Sequence, residues 1–158
     1  TPPEGGSPLP EGAESVPALL EGGDLEKAEE ILVNALADNP RDLEAYRLLG
    51  VLYIRRGDFG QAREVLEEAL RRDPEETSLY GFLGETYFAL GGYGKSLQMY
   101  QRAHDADEKN VGYLEQLLRI ATLMDRRPLV RVTAEKILAL EPNHPEAKKQ
   151  LARATVGG

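Results

Sequence analysis

The chain has 158 residues, 19 basic against 27 acidic for a net charge of −8, and neither cysteine nor tryptophan. That length suits one domain or one short repeat array with a continuous core. The acidic balance argues against sequence-independent binding to nucleic acid or to an anionic bilayer, and without cysteine there is no disulfide framework or zinc–thiolate site. No apolar run approaches the roughly 18–20 residues of a membrane span, so no membrane insertion is expected.

Residues 1–14 (TPPEGGSPLPEGAE) are rich in proline and glycine, which block helix and favour an extended, polyproline-like or disordered tail. The first residue is Thr1, not Met. If Thr1 is a processed terminus, the protein is exported, periplasmic or extracellular; otherwise a cytoplasmic location is expected.

Beyond the tail a period of 34 residues governs the chain, with frames starting at Leu9, Leu43, Thr77 and Val111. The first unit has a weak opening helix of about two turns around Leu19 and Leu20, between Pro17 and Gly22-Gly23, and a second helix carrying Ala28-x3-Leu32-x2-Ala35 before Pro40. The second unit reads Tyr46-x2-Leu49-Gly50-x2-Tyr53, then Ala62-x3-Leu66-x2-Ala69 and Pro74. The third repeats it as Tyr80-x2-Leu83-Gly84-x2-Tyr87, then Ser96-x3-Tyr100-x2-Ala103, with Glu108 where proline would stand, which predicts a less rigid exit loop. The fourth has Leu114-x2-Leu117-Leu118-x2-Ala121, then Val130-x3-Ala134-x2-Ile137 and Pro142. A last amphipathic segment, Pro145 to Ala154, suits the solvating end helix of an array.

The punctuation predicts helix starts at the caps Asp24, Asp42, Asn110 and Asn143, first-turn prolines at Pro128 and Pro145, and turns at Gly23, Gly57 and Gly91. Gly50 and Gly84 are expected to face Ala62 and Ser96, letting paired helices approach closely. Leu118 and Val130 at the matching places of the last unit predict a wider or shifted pair.

A unit of this length with two helical periodicities cannot bury its apolar face alone and stacks with its copies. The residues and period resemble the tetratricopeptide-repeat family, strongly over about 43–144 and partially over 15–42. The resemblance implies an all-α, right-handed α-solenoid of about four helix-turn-helix repeats (9–42, 43–76, 77–110 and 111–144). The expected organisation is a tail at 1–14, an array at 15–144 and a capping helix and tail at 145–158.

Motifs suggestive of chemistry are weak. Ala89-x4-Gly94-Lys95-Ser96 fits a relaxed phosphate loop, but such a loop follows a strand, and here it opens a second helix. Arg56-Gly57-Asp58 and Asp58-Phe59-Gly60 fall on an inter-helix turn. His104, near a helix end whose dipole favours a cationic ring, and His144, in a loop, lack metal-ligand spacing. No catalytic, cofactor-binding or metal-binding residues are assigned, and an enzyme is not expected.

In the family that this chain resembles, the concave wall is lined by the first helix of each unit at frame positions 2, 5, 9 and 12. The resemblance therefore implies a wall of Glu44, Arg47, Val51 and Ile54, then Ser78, Gly81, Glu85 and Phe88, then Gly112, Glu115, Arg119 and Thr122. A subfamily that clamps C-terminal carboxylates carries Asn at position 9; here Val51, Glu85 and Arg119 stand there, which does not support that mode. Glu85 and Arg119, on adjacent helices, could alternatively pair with each other.

Charge is also segregated along the chain: residues 1–42 carry net −8 and residues 111–158 net +3. Sequence order is spatial order in a solenoid, and complementary ends favour head-to-tail contact. Glu21, Asp24, Glu26, Glu29 and Glu30 would meet Arg126, Arg127, Arg131, Lys148, Lys149 and Arg153 of another copy. The expected function is a non-enzymatic scaffold binding a protein or peptide through its groove or ends. The alternative is a structural subunit self-assembling with copies of itself into a homo-oligomer or filament.

Overall fold

The computed structural model describes residues 15–156; the tail at 1–14 lies outside them, as do the last two glycines. Among the described residues the chain forms nine α-helices and no strand: α1 (Val16–Gly22), α2 (Leu25–Asp38), α3 (Leu43–Arg56), α4 (Phe59–Arg72), α5 (Ser78–Ala89), α6 (Tyr93–Ala106), α7 (Val111–Leu123), α8 (Arg127–Leu140) and α9 (Pro145–Thr155). Each helix packs on its sequence neighbours, and α3 also meets α5. This is the nearest-neighbour pattern of an α-solenoid.

The turns explain why the units repeat so closely. Gly23, Gly57 and Gly91 end the first helices in the left-handed region, at φ of 81°, 81° and 77°. Asp125 takes the same place in the fourth unit at φ 50°, although it carries a side chain. At each, the next amide reaches back to a carbonyl five residues earlier, as Asp58 N to Tyr53 O (2.8 Å) and Arg126 N to Ala121 O (2.9 Å). Those bonds satisfy carbonyls that a helix end would leave bare. Between units a second turn recurs from Asn39, Asp73, Asp107 and Glu141, each carbonyl accepting from the third residue on at 3.0–3.3 Å. Glu108 in place of proline leaves this hydrogen bond intact, with Asn110 N to Asp107 O at 3.1 Å.

Asp24 and Asp42 cap α2 and α3 through their side chains. Asn110 occupies the cap of α7 without a side-chain bond, and the cap of α9 is His144 rather than Asn143. The reason is Pro145: as first helical residue it sets the cap one position before itself, and the imidazole Nδ1 accepts from Ala147 N at 3.1 Å. Asn143 instead accepts from Lys148 Nζ at 3.1 Å.

The glycines of the first helices also stand against large side chains of the second helices. A Cβ on Gly50 would meet Leu66, and one on Gly84 would meet the Tyr100 ring at 2.9 Å. Ala62 is buried, and Ser96 meets Gly84 as expected, its hydroxyl donating to the Gly84 carbonyl at 2.6 Å. In the last pair the volumes are exchanged. Leu118 replaces the glycine and Ala134 replaces the large partner, both in one buried cluster with Val130. The large side chain of the pair thus comes from the first helix in this unit and from the second helix in the earlier ones.

Successive pairs are joined by polar links as well as apolar ones. Ile54 and Val65 pack against both the first and the second core clusters. Tyr53 donates its hydroxyl to Glu29 at 2.7 Å, Arg56 binds the same carboxylate at 2.5 Å, and Arg55 donates to the Leu20 carbonyl at 2.7 Å. The Arg56 guanidinium beside Glu29 holds that carboxyl below the usual range, with the Tyr53 hydroxyl helping.

Candidate functional site

Three cavities open in succession on the face made by α5, α7 and α9. The first, about 300 Å³, lies between α5 and α7 and is lined by Ser78, Gly81, Phe82, Glu85, Gly112, Tyr113 and Gln116, among others. The second, about 350 Å³, adds Phe59, Phe88 and Arg119 to Glu85, Tyr100 and Gln116. The third, about 360 Å³ and mainly apolar, lies between α7 and α9 and is lined by Glu115, Leu118, Arg119, Thr122, Leu123, His144, Glu146 and Gln150.

Backbone economy makes the first cavity possible. Gly81 has no side chain, and a Cβ there would come within 3.1 Å of the Tyr113 ring, so the ring lies against the α5 backbone. Tyr113 and Tyr100 stand with ring centres 6.4 Å apart. The Tyr100 hydroxyl is pushed up to about 12, first by burial and then by the Glu85 carboxylate.

The charges of this face fall into two groups. Glu115 and Glu146 are engaged: Glu115 with His144 Nε2 at 2.8 Å, and Glu146 with Gln150 at 2.6 Å and Lys149 at 3.5 Å. The Gln150 amide, with Lys149 second, holds the Glu146 carboxyl below its usual range. Glu85 and Arg119 do not form the ion pair that their adjacency allowed. Arg119 instead lies over Phe88, its Cζ 4.3 Å from the ring centre. A guanidinium over an aromatic face is held by the ring quadrupole and keeps its edge free for other acceptors.

The sequence-assigned wall thus divides. Ser78, Gly81, Glu85 and Phe88 from α5 and Gly112, Glu115, Arg119 and Thr122 from α7 line the three cavities. From α3, Glu44 and Arg47 are bound to each other at 2.5 Å, Ile54 is half-buried in the core, and Val51 is half-buried. None of those four lines these cavities.

The residues assigned to the ends are also differently employed. Glu21, Glu26 and Glu30 are exposed, Asp24 accepts from Lys27 N at 3.3 Å, and Glu29 is half-buried and engaged with Tyr53 and Arg56. Arg126, Arg131 and Arg153 are exposed, Arg127 lies 3.7 Å from Asp125, and Lys148 and Lys149 bind Asn143 and Glu146.

Several lining residues escaped the sequence reading: Phe82, Tyr113, Gln116, Leu118, His144, Glu146 and Gln150. The signal for the last three was present, because Pro145 lies 34 residues after Val111. Continuing the frame makes α9 the first helix of a further unit, with Glu146, Lys149 and Arg153 at positions 2, 5 and 9.

The phosphate-loop-like residues have structural places. Lys95 lies over the Tyr87 ring at 5.2 Å, and Ser96 is buried in α6. Among the described residues no cluster of three or more His, Asp or Glu is placed to hold a metal ion, and no helix is long and apolar enough to cross a membrane.

Comparison with known proteins agrees with this architecture. No curated protein sequence matches the chain. Among solved structures, it is similar to MamA, at 20% identity and TM-score 0.81, over 92% of this chain and 85% of that one. It is similar to YrrB, described as a TPR protein with an unusual peptide-binding site, at 20% identity and TM-score 0.80, over 89% and 73% of the two chains. A MamA fragment from Desulfovibrio magneticus RS-1 aligns at 22% identity and TM-score 0.70, over 82% and 73%. At such identities the likeness is one of fold. Two tetratricopeptide-repeat family models match residues 19–81 and 52–111. With the 34-residue frame and the helix pairs, those matches lead to one conclusion: the chain belongs to the tetratricopeptide-repeat family.

Proposed function

We propose that this protein is a non-enzymatic scaffold that holds a segment of another polypeptide against the wall formed by α5, α7 and α9. The array of helix pairs up to residue 144 presents that wall, and α9 closes it. The observation that carries the reading is the run of three adjoining cavities, the first and second sharing Glu85 and the second and third sharing Arg119, floored by aromatic and aliphatic side chains. A groove that is largely preformed, apolar and studded with a few convergent polar groups suits a peptide whose affinity rests on a few anchors. The fold shared with a peptide-binding TPR protein supports the same reading.

The test is selection from a displayed library of random dodecapeptides on the full chain, followed by amide-resonance mapping of an enriched peptide. Perturbations concentrated on α5, α7 and α9 are expected. No enrichment, or perturbations confined to α2, α4, α6 and α8, would overturn the proposal.

A second reading, head-to-tail assembly, is favoured by the sign of charge at the two ends. Glu21, Glu26 and Glu30 are exposed at one, and Arg126, Arg131 and Arg153 at the other. Glu29 contributes least, being engaged within its own chain. Sedimentation at low salt is expected to show oligomers that dissociate as screening increases. Charge reversal of Arg126 and Arg131 to Glu should abolish them without loss of helicity. A monomer at high concentration and low salt excludes this mode.

A further inference from the structure

Frame position 9 runs along the wall as Val51, Glu85, Arg119 and Arg153, one residue per first helix. Its two middle members are of opposite sign, exposed and on neighbouring helices, yet they are not paired. Each has an aromatic platform instead: Glu85 lines the cavity that holds Tyr113 and Tyr100, and Arg119 lies over Phe88. The other carboxylates of this wall, Glu115 and Glu146, are already engaged. Among the charged residues that line these cavities, Glu85 and Arg119 are therefore the ones left available to a ligand, and they lie on the border between adjoining cavities.

On the reading that this wall binds a polypeptide, we infer that the occupant is an extended peptide carrying one basic residue over Glu85 and one acidic residue over Arg119. Its spacing follows from geometry. Tyr113 of α7 reaches the backbone of α5 at Gly81, helices lying side by side generally stand about 8–10 Å apart, and an extended chain advances about 3.3 Å per residue. The two charged residues are then about three positions apart in the peptide. A basic side chain over Glu85 meets tyrosine rings as well as a carboxylate, and an acidic side chain over Arg119 meets a guanidinium already oriented by Phe88. A ligand of one charge sign would leave one of the two wall charges facing a like charge, which complementarity disfavours.

The experiment repeats the random-dodecapeptide selection on three full-length proteins: wild type, Glu85→Arg and Arg119→Glu. Wild type is expected to enrich peptides with a basic and an acidic residue about three positions apart. Glu85→Arg should lose the basic preference and gain a second acidic one, and Arg119→Glu the reverse. For a wild-type-selected peptide, each reversal should weaken binding by about three- to tenfold, with helicity by circular dichroism unchanged. Peptides that map to α5, α7 and α9 but show no paired charges, or whose affinity ignores both reversals, overturn the inference and leave the groove reading standing. Failure to enrich any peptide on this wall overturns both.

Discussion

The Cβ that Gly50 lacks would stand 2.4 Å from Cδ2 of Leu66, a side chain with no exposed surface. The clash reaches Leu66 Cγ, at 2.6 Å, so it involves the root of the branch as well as its tip. Gly50→Ala gains about 1 kcal/mol of helix propensity, but overpacking costs about 1–3 kcal/mol, and net destabilisation is expected. Leu66→Ala alone should cost about 2–5 kcal/mol. The double variant should cost less than the sum, because each change relieves the other. Denaturant unfolding of the four proteins checks it; strict additivity would show that the two residues do not share one space. The last unit already carries this exchange as Leu118 and Ala134.

Asp125 sits where the earlier units place glycine, at φ 50° against 77–81°. A left-handed conformation costs a residue with a Cβ about 1–2 kcal/mol, less for Asp than for most. Its exposed contact with Arg127, at 3.7 Å, offsets little of that. Asp125→Gly is expected to raise stability by roughly 0.5–1 kcal/mol, and Gly57→Ala to lower it by about 1 kcal/mol. A thermal melt decides both; a less stable Asp125→Gly protein would show that the aspartate side chain stabilises the turn.

These two positions mark what could be read in the sequence. The 34-residue frame located the helix pairs and the glycine turns because both depend on local periodicity and backbone conformation. It did not reveal that Gly50 and Gly84 face Leu66 and Tyr100, since that depends on how far each helix is rotated against its partner. Nor does position alone reveal what the α3 residues of the wall do among themselves: Glu44 and Arg47 pair with each other, and Ile54 packs against the core. The role of α9 is faint in the sequence because its Lys148, Ala152 and Thr155 stand where earlier units have an aromatic, a glycine and an aromatic, so the repeat pattern fades there.

Alkaline pH should loosen the array within a definite window. Burial pushes the hydroxyls of Tyr53, Tyr87 and Tyr100 up to about 12, with Glu29 and Glu67 adding to the first two by accepting their protons' hydrogen bonds. The unfolded chain releases these protons near pH 10 and the native state only near pH 12. Between those values the native state binds more protons, so stability is whole below about pH 10 and falls as pH rises toward 12. The melting temperature is expected to decline over this window. Tyr53→Phe and Tyr87→Phe should flatten that decline, though each loses a hydrogen bond at neutral pH. A melting temperature constant to pH 12 would contradict the assignment.

The attachment of α9 rests on one imidazole with two duties. His144 Nδ1 accepts from Ala147 N at 3.1 Å, which places the ring proton on Nε2, where it is donated to Glu115 at 2.8 Å. One bond starts the helix and the other ties it to α7. His144→Ala removes both and is expected to cost about 1–2 kcal/mol, with faster hydrogen exchange confined to α9. His144→Asn keeps a cap but is too short to serve Glu115 as well, so it should recover the exchange protection of the first turn of α9. Glu115→Gln retains an acceptor and should change little, whereas Glu115→Ala breaks the tie. Because α7 and α9 enclose the apolar cavity around Leu118 and Leu123, His144→Ala and Glu115→Ala should also weaken any peptide seated there, and His144→Asn should separate the two duties. If it behaves like His144→Ala in exchange, the cap is not what holds the start of α9, and the tie to Glu115 alone positions that wall.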